Sequence, residues 1–373
     1  MSAELKRRAS AARAWLFDGA LPLWASAGFD TKTGLFQEKL DANGKAVPGL
    51  PHRMRVQSRQ TYVFRQAGRL GWRGAWKPLV EAGLKTLTGP ARADGGAVGL
   101  TLDENGALKD KRRDLYDQAF ALFALAQARS FDPQAADQRI DELFAYLEAQ
   151  RGPNGGFLEG ELRPMPRWQN PHMHLFEAGI ALMEAGVERG QGLARECADL
   201  FDRYFYDDAN GALGEYYTME WARAPGDEGR LAEPGHHYEW IWLIDRWRRV
   251  SGEDRGAAAA KLWARVQRDG IANGVAIDEI WRDDGPRTRT ARLWPQTERL
   301  KAALVRYETG QGPETDILAA YDGLWLYFAG LPDGLWRDRM RADGGFVDEP
   351  APASSLYHIV VALSELMRVA EIA

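Results

Sequence analysis

The sequence predicts one all-α domain over residues 1–373, an (α/α)6 barrel of six helical hairpins in an inner and an outer ring, with short β-hairpins on one rim. Three observations predict it. A short glycine-containing element recurs six times. Long stretches of helical periodicity lie between the recurrences, two per interval. No Pro/Gly/Ser-rich linker or charge run divides the chain. Self-similarity at a fixed period marks a repeat architecture. Six helical pairs without polar end caps favour a closed toroid over an open solenoid.

The recurring elements are TGLFQE (33–38), DGGAVG (94–99), NGGFLEG (154–160), NGALGEYY (210–217), NGVAIDEI (273–280) and DGGFVDEP (343–350). Their key glycines are Gly34, Gly95, Gly155, Gly211, Gly274 and Gly345, spaced by 56 to 71 residues, against 373/6, or about 62, for one sixth of the chain. Asn-Gly and Asp-Gly signal tight turns, because glycine reaches positive φ at no steric cost. The alternating residues that follow suit a short hairpin arm. The stretches 58–72, 114–130, 172–186, 236–250, 297–310 and 357–372 then place apolar residues at i, i+3, i+4 and i+7, the helical pattern. Second helices, such as AADQRIDELFAYLEAQ (135–150) and the stretch around Cys197, lead to the next turn. The glycine turns are expected on one rim and the starts of the following helices on the other.

Composition bounds the function. The chain is 45% hydrophobic and 27% charged, as in soluble globular proteins. A formal net charge of −5 without a basic block argues against nucleic acid or an anionic membrane surface as partner. No apolar run approaches the ~20 residues of a membrane helix. The N-terminus has no apolar h-region, so no secretory signal is expected. The single cysteine, Cys197, forms no intramolecular disulfide; a reducing, cytoplasmic setting follows, with Cys197 as a small core residue. The 14 Trp, 12 Tyr and 14 Phe read chiefly as a large helical core, with some rings available to stack on a sugar.

Five of the six histidines, His172, His174, His236, His237 and His358, fall at or near predicted helix starts in three repeats. Arg59, Glu177, Glu239 and Glu298 share that position, and in a closed barrel such turns converge on one funnel. His236 and Glu239 stand at i and i+3 on one face, which Trp242 continues. His237 is rotated by about 100° and reads as structural. A chelate of His172, His174 and His236 is disfavoured, because i and i+2 diverge on a helix and no HExxH or CxxC pattern is present. No metal or other cofactor is expected. Two imidazoles can remove and return a proton. Carboxylates can fix their tautomers, and an arginine can stabilise an enolate oxygen. Proton shuttling beside a sugar carbonyl needs this equipment alone.

The segments SRQTYVF (58–64), NPHMHLFEA (170–178), EPGHHYEW (233–240), LWPQTE (293–298) and SLYHIVVALSE (355–365) resemble the N-acylglucosamine 2-epimerase superfamily, in order, across residues 15 to 370. The resemblance implies the same (α/α)6 barrel and a set of roles. Arg59 would bind the sugar carbonyl or ring oxygens and His174 would hydrogen-bond the sugar. His236 and His358 would be the acid/base pair, with Glu239 orienting His236 and Glu298 supporting the other side. Trp242 and Trp294 would line the pocket; Glu177 and Tyr62 join the substrate-binding set. The implied reaction passes through a cis-enediol. Family epimerases carry an arginine three residues after the last histidine, where this chain has Val361. The SxxYHIVxAxxE form resembles the aldose–ketose isomerase branch, D-mannose isomerase in particular.

The expectation is therefore a cofactor-independent isomerase interconverting D-mannose or a relative with D-fructose, as monomer or homodimer, acting on a monosaccharide. The rivals are a 2-epimerase on the same barrel, an (α/α)6 glycoside hydrolase working through two carboxylates, and a non-enzymatic sugar-binding module. Arg53, Arg55 and Arg167 are expected in solvent rather than on a substrate anion. The role of His172 is left open.

Overall fold

The structure, a computed structural model, describes residues 1–372. Among them twelve helices form two rings. They are α1 (Ala3–Ala14), extended through a π-helical turn, Trp15–Ala20, into Leu21–Ser26, then α2 (Met54–Arg69), α3 (Trp76–Thr88), α4 (Leu115–Ala128), α5 (Pro133–Ala149) and α6 (Gln169–Glu184). The second half supplies α7 (Arg189–Leu200), α8 (Pro234–Ser251), α9 (Gly256–Asp269), α10 (Trp294–Glu308), α11 (Glu314–Trp325) and α12 (Ala353–Ala370). The even-numbered helices are buried nearly all round, as in α4, where every residue from Asp117 to Ala128 is buried. The odd-numbered ones bury one stripe, as α9 does through Ala259, Leu262, Trp263, Arg265 and Val266. That difference in pattern places the first set inside and the second outside.

Closure is visible in the strands. The segment entering each inner helix pairs with the next repeat: His52 with Leu102, Asp114 with Gly160, Arg167 with Tyr217, Ala232 with Ile280, and Ala291 with Met340. The last, Ala351, returns to Leu40 of the first repeat. Ladders of two residues are unstable alone; here they are links of one ring, and α12 packs on α2 inside it.

A second periodic feature docks five of the six inner helices on their hairpins; at the equivalent position of α12 stands Leu356. Gln57 accepts from the backbone N–H of Phe36 (2.9 Å) and donates to its carbonyl. Gln118 does the same to Val98, and Gln296 to Ala276. His172 and His237 occupy the equivalent position. The Nε2 of His172 accepts from the Phe157 N–H (3.1 Å) and its Nδ1 contacts the Trp168 carbonyl. His237 accepts from the Leu213 N–H (2.9 Å) and contacts the Glu233 carbonyl. His172 is thus a scaffold residue, as His237 was expected to be.

Two expectations are corrected. The glycine turns and the inner-helix starts share one rim, because the strand pairing with the next hairpin runs directly into the helix: Arg53 into Met54, Trp168 into Gln169, Pro352 into Ala353. In the sixth turn Gly344, not Gly345, holds positive φ (84°). Cys197 is fully buried in α7, as expected of a core residue.

Candidate active site

Two residues beyond the docking position on each inner helix, about 200° around the axis, stand Arg59, Phe120, His174, Glu239, Glu298 and His358. All are buried and gather at the mouth of the inner ring. One turn deeper lie Tyr62, Phe123, Glu177, Trp242, Lys301 and Val361, also buried. Above them opens a cavity of about 240 Å³, lined by Arg59, His174, His236, Glu239, Trp294 and His358 among others.

His236 and His358 flank the Trp294 indole, with ring centroids 5.1 and 5.7 Å from it. Each holds a carboxylate on Nδ1 at 2.9 Å: Glu215 for His236, Glu298 for His358. This fixes the tautomer and leaves Nε2 for the cavity. The surroundings then part. Against the opposing pull of burial, Glu215 and Glu233 push the His236 imidazolium up to about 9. Burial, with the cations Arg59 and Lys301, holds His358 well below its ordinary value. The two environments push the rings in opposite directions, the separation that acid–base chemistry uses.

Arg59 donates to the Tyr116 hydroxyl (2.5 Å) and lies 4.2 Å over the Phe120 ring. Neither oxygen of Glu239 has a hydrogen-bond partner among the described residues. Burial, then the neighbouring Glu298, push its carboxyl well up, and both its oxygens are left for a group in the cavity. The Nδ1 of His174 meets Glu177 at 3.3 Å, and Glu177 also accepts from the Tyr357 hydroxyl.

Of the predicted residues, His236, His358, Arg59, Glu239, His174 and Trp294 meet at the cavity. Glu298 stands behind His358 and reaches the cavity only through it. Glu177, Tyr62 and Trp242 do not line it. They lie one helical turn too deep, Trp242 beneath Lys301 (3.9 Å) and Tyr62 against Phe123 and Tyr357. The carboxylate on His236 is Glu215, not Glu239, because residues three apart on this helix aim at the same cavity rather than at each other. Arg167 is not in solvent: it is fully buried, 3.6 Å over Trp221, and donates to the carbonyls of Gly155 and Phe157. Arg53 is partly exposed and pairs with Glu38, and Arg55 pairs with Asp117.

Glu215, Tyr116, Asn170, Glu233 and Arg292 complete the site and escaped the motif reading. A signal for Glu215 exists. Four residues past the turn glycines Gly34, Gly155, Gly211 and Gly274 stand Glu38, Glu159, Glu215 and Asp278. Each accepts from the backbone at an inner-helix entry, at Arg53, Trp168, Glu233 and Arg292. Glu215 alone of these also reaches a histidine.

Three donor groups, His174/Glu177/Glu239, Glu215/Glu233/His236 and Glu239/Glu298/His358, each lie within 4.8 Å and could hold a cation. In each, a cation would compete with the histidine for the carboxylate that anchors its Nδ1.

A family model described as N-acylglucosamine 2-epimerase matches residues 34–362. The chain is 40% identical over 385 residues to a protein of Rhizobium meliloti (strain 1021) named mannose-6-phosphate isomerase, covering 98% of each. It is 27% identical over 352 residues to a D-mannose isomerase of Thermobifida fusca, covering 80% of this chain and 83% of the other. The cellobiose 2-epimerase of Spirochaeta thermophila DSM 6192 has the same fold, with a TM-score of 0.87 at 20% identity over 99% of this chain and 98% of the other.

Proposed function

We propose that this chain, which belongs to the N-acylglucosamine 2-epimerase family, is an aldose–ketose isomerase that interconverts D-mannose, or a close relative, and D-fructose without a cofactor. Membership makes it a sugar epimerase or isomerase. The step to one reaction rests on a single observation: two imidazoles, each anchored by a carboxylate, open on one cavity either side of Trp294.

The open-chain aldose would lie over Trp294. Neutral His358 removes the proton from C2. The electron pair moves toward O1, where Arg59 and the His236 imidazolium meet the developing charge. His236 gives its proton to O1 and takes the O2 proton in return, and the His358 imidazolium delivers the C2 proton to C1, which yields the ketose with both rings back in their starting states. Delivery to the opposite face of C2 would give the epimer. Glu239 donates to a sugar oxygen. Val361, in the layer below, is the departure from the epimerase pattern that favours the isomerase branch. The hydrolase reading is weaker, since Glu233, the cavity's other carboxylate, is tied to Arg292 at 2.6 Å.

The substrate in this reading is uncharged. Arg53 pairs with Glu38, Arg55 with Asp117, and Arg292 with Glu233 and Asp278. Arg59 alone of the lining arginines has no carboxylate partner among the described residues, and with Arg59 assigned to the reacting oxygen no unpaired guanidinium is left for a phosphate dianion. The test is proton NMR in D2O of EDTA-treated protein with D-mannose, mannose 6-phosphate and N-acetylglucosamine in separate tubes. Fructose from mannose, with deuterium entering at the exchanged carbon, is expected. C2 exchange with formation of N-acetylmannosamine moves the chain to the epimerases. Preference for the phosphorylated sugar overturns the uncharged substrate.

A further inference from the structure

We propose that Lys301 is the positioning residue that makes His236 and His358 chemically unequal, fixing which takes the proton from carbon and which stands opposite as the acid. The proposal rests on the two-histidine reading above. Its test does not.

Taken alone, the two rings are alike: both buried, both with a carboxylate on Nδ1 at 2.9 Å. The difference lies behind the carboxylates. Glu215 faces neutral donors, the Gln169 amide at 2.9 Å and the Glu233 backbone N–H at 3.2 Å. Its charge is left to act on His236, reinforced by Glu233. Arg292, the cation of that wall, is spent on Glu233 and Asp278. On the other wall Glu298 is shared. Its Oε1 holds His358, and its Oε2 is 2.5 Å from the Lys301 ammonium. This is an ion pair without hydrogen-bond alignment, since neither Nζ nor Oε2 has a hydrogen-bond partner among the described residues. What Lys301 supplies is therefore charge.

Lys301 is fully buried, a costly place for an ammonium unless that charge is used. Trp242 carries it from below at 3.9 Å. A carboxylate neutralised in this way stabilises an imidazolium far less than a free one. The other groups around His358 are Arg59 from α2, His174 and Glu177 from α6, Glu239 from α8 and Tyr357 beside it. Glu177 is already engaged by His174 and Tyr357. Arg59 also disfavours the His358 imidazolium, but it faces the cavity and belongs to the substrate. Lys301 is the cation built into the floor.

A lysine that only balanced Glu177, Glu239 and Glu298 would stabilise the barrel and leave the histidines alone. Ring nitrogen NMR of 15N-histidine protein, assigned with His236→Asn and His358→Asn, separates the two cases without substrate. At pH 7.5 the wild type should show His236 doubly protonated and His358 neutral, and lysine 15N shifts should show Lys301 as an ammonium. In Lys301→Met, judged folded by its melting curve, His358 should take up its proton at least one pH unit higher. The acid limb of kcat/KM should move up with it. Equal protonation of the two rings in the wild type, a neutral Lys301 amine, or an unmoved His358 titration in the folded variant each overturns the proposal. If Lys301→Met does not fold, Lys301→Gln, which keeps a donor for Glu298, takes its place under the same criteria. Loss of the mannose reaction with the NMR result intact would sink the isomerase reading and not this one.

Discussion

His236 and His237 are covalent neighbours with opposite surroundings. His236 faces the cavity, is held by Glu215 and is pushed up to about 9. His237 faces the Leu213 hairpin, is bonded to backbone on both ring nitrogens, and burial drives it down to about 4. The contrast extends around the barrel. The hairpin-facing row is Gln57, Gln118, His172, His237 and Gln296; the row that points into the barrel is Arg59, Phe120, His174, Glu239, Glu298 and His358. In the first row histidine and glutamine do one job, since each offers an acceptor and a donor to backbone. In the second, chemical identity decides what the site can do. Adjacent positions on a helix differ by about 100°, and here that rotation divides scaffold from chemistry.

The sharpest way to break the comparison is to exchange residues across it. His236→Asn and His358→Asn should each lower turnover on the sugar by roughly 10²- to 10⁴-fold, the usual worth of a general acid or base, with an unchanged melting temperature. His237→Gln should leave turnover within a factor of a few. Near wild-type rates in His236→Asn would dissolve the distinction.

Next in size is the support behind His236. Glu215→Gln should lower turnover by roughly 10- to 100-fold, as loss of an orienting partner does. It should also move the basic limb of kcat/KM down, because His236 would lose its proton below the value of about 9 it has beside Glu215. An unshifted basic limb would assign that limb to another group.

A smaller effect belongs to the scaffold row. His237→Ala leaves the buried Leu213 N–H unpaired and should cost about 1–3 kcal/mol in denaturant unfolding. His237→Gln should recover most of it, because Gln57, Gln118 and Gln296 already make that contact elsewhere. Equal losses for Ala and Gln would show that the imidazole shape, not its bonding, is what the site requires.

The last effect is on pH dependence. Burial holds His172 near 3 and His237 near 4 in the folded chain, while unfolded histidines titrate near 6.5. Between these values the unfolded state binds more protons, so this contribution is complete above about 6.5 and is lost as pH falls toward 4 and 3. His236 has the opposite sign: its raised value stabilises below 6.5, and that contribution is lost as pH rises through about 9. The variant with glutamine at both 172 and 237 should lose less stability between pH 7.5 and 5 than the wild type. An equal loss would move the acid sensitivity to other groups.

Much of the fold was legible before the structure. Five of the six turn glycines and each inner helix fell where periodicity put them, to within a few residues at the ends; the sixth turn uses Gly344 in place of Gly345. The site was legible where one helix face carried it, as with His236 and Glu239, and where a helix start marked the residue, as with Glu298 and His358. It was illegible where depth or a second segment decided. Trp242 and Tyr62 have the spacing of lining residues and lie one turn below the cavity. Glu215 comes from a hairpin 21 positions before the histidine it holds.

The sequence by itself thus determined the period, the helices, their inner and outer faces, and the set of groups at the helix starts. These follow from local stereochemistry and from the 3.6-residue turn, which act within a few residues. The pairing of Glu215 with His236, the sharing of Glu298 between His358 and Lys301, and the unequal surroundings of the two histidines were decided only when the ring closed. They depend on distances across the barrel and on the low dielectric inside it, and no local pattern encodes either.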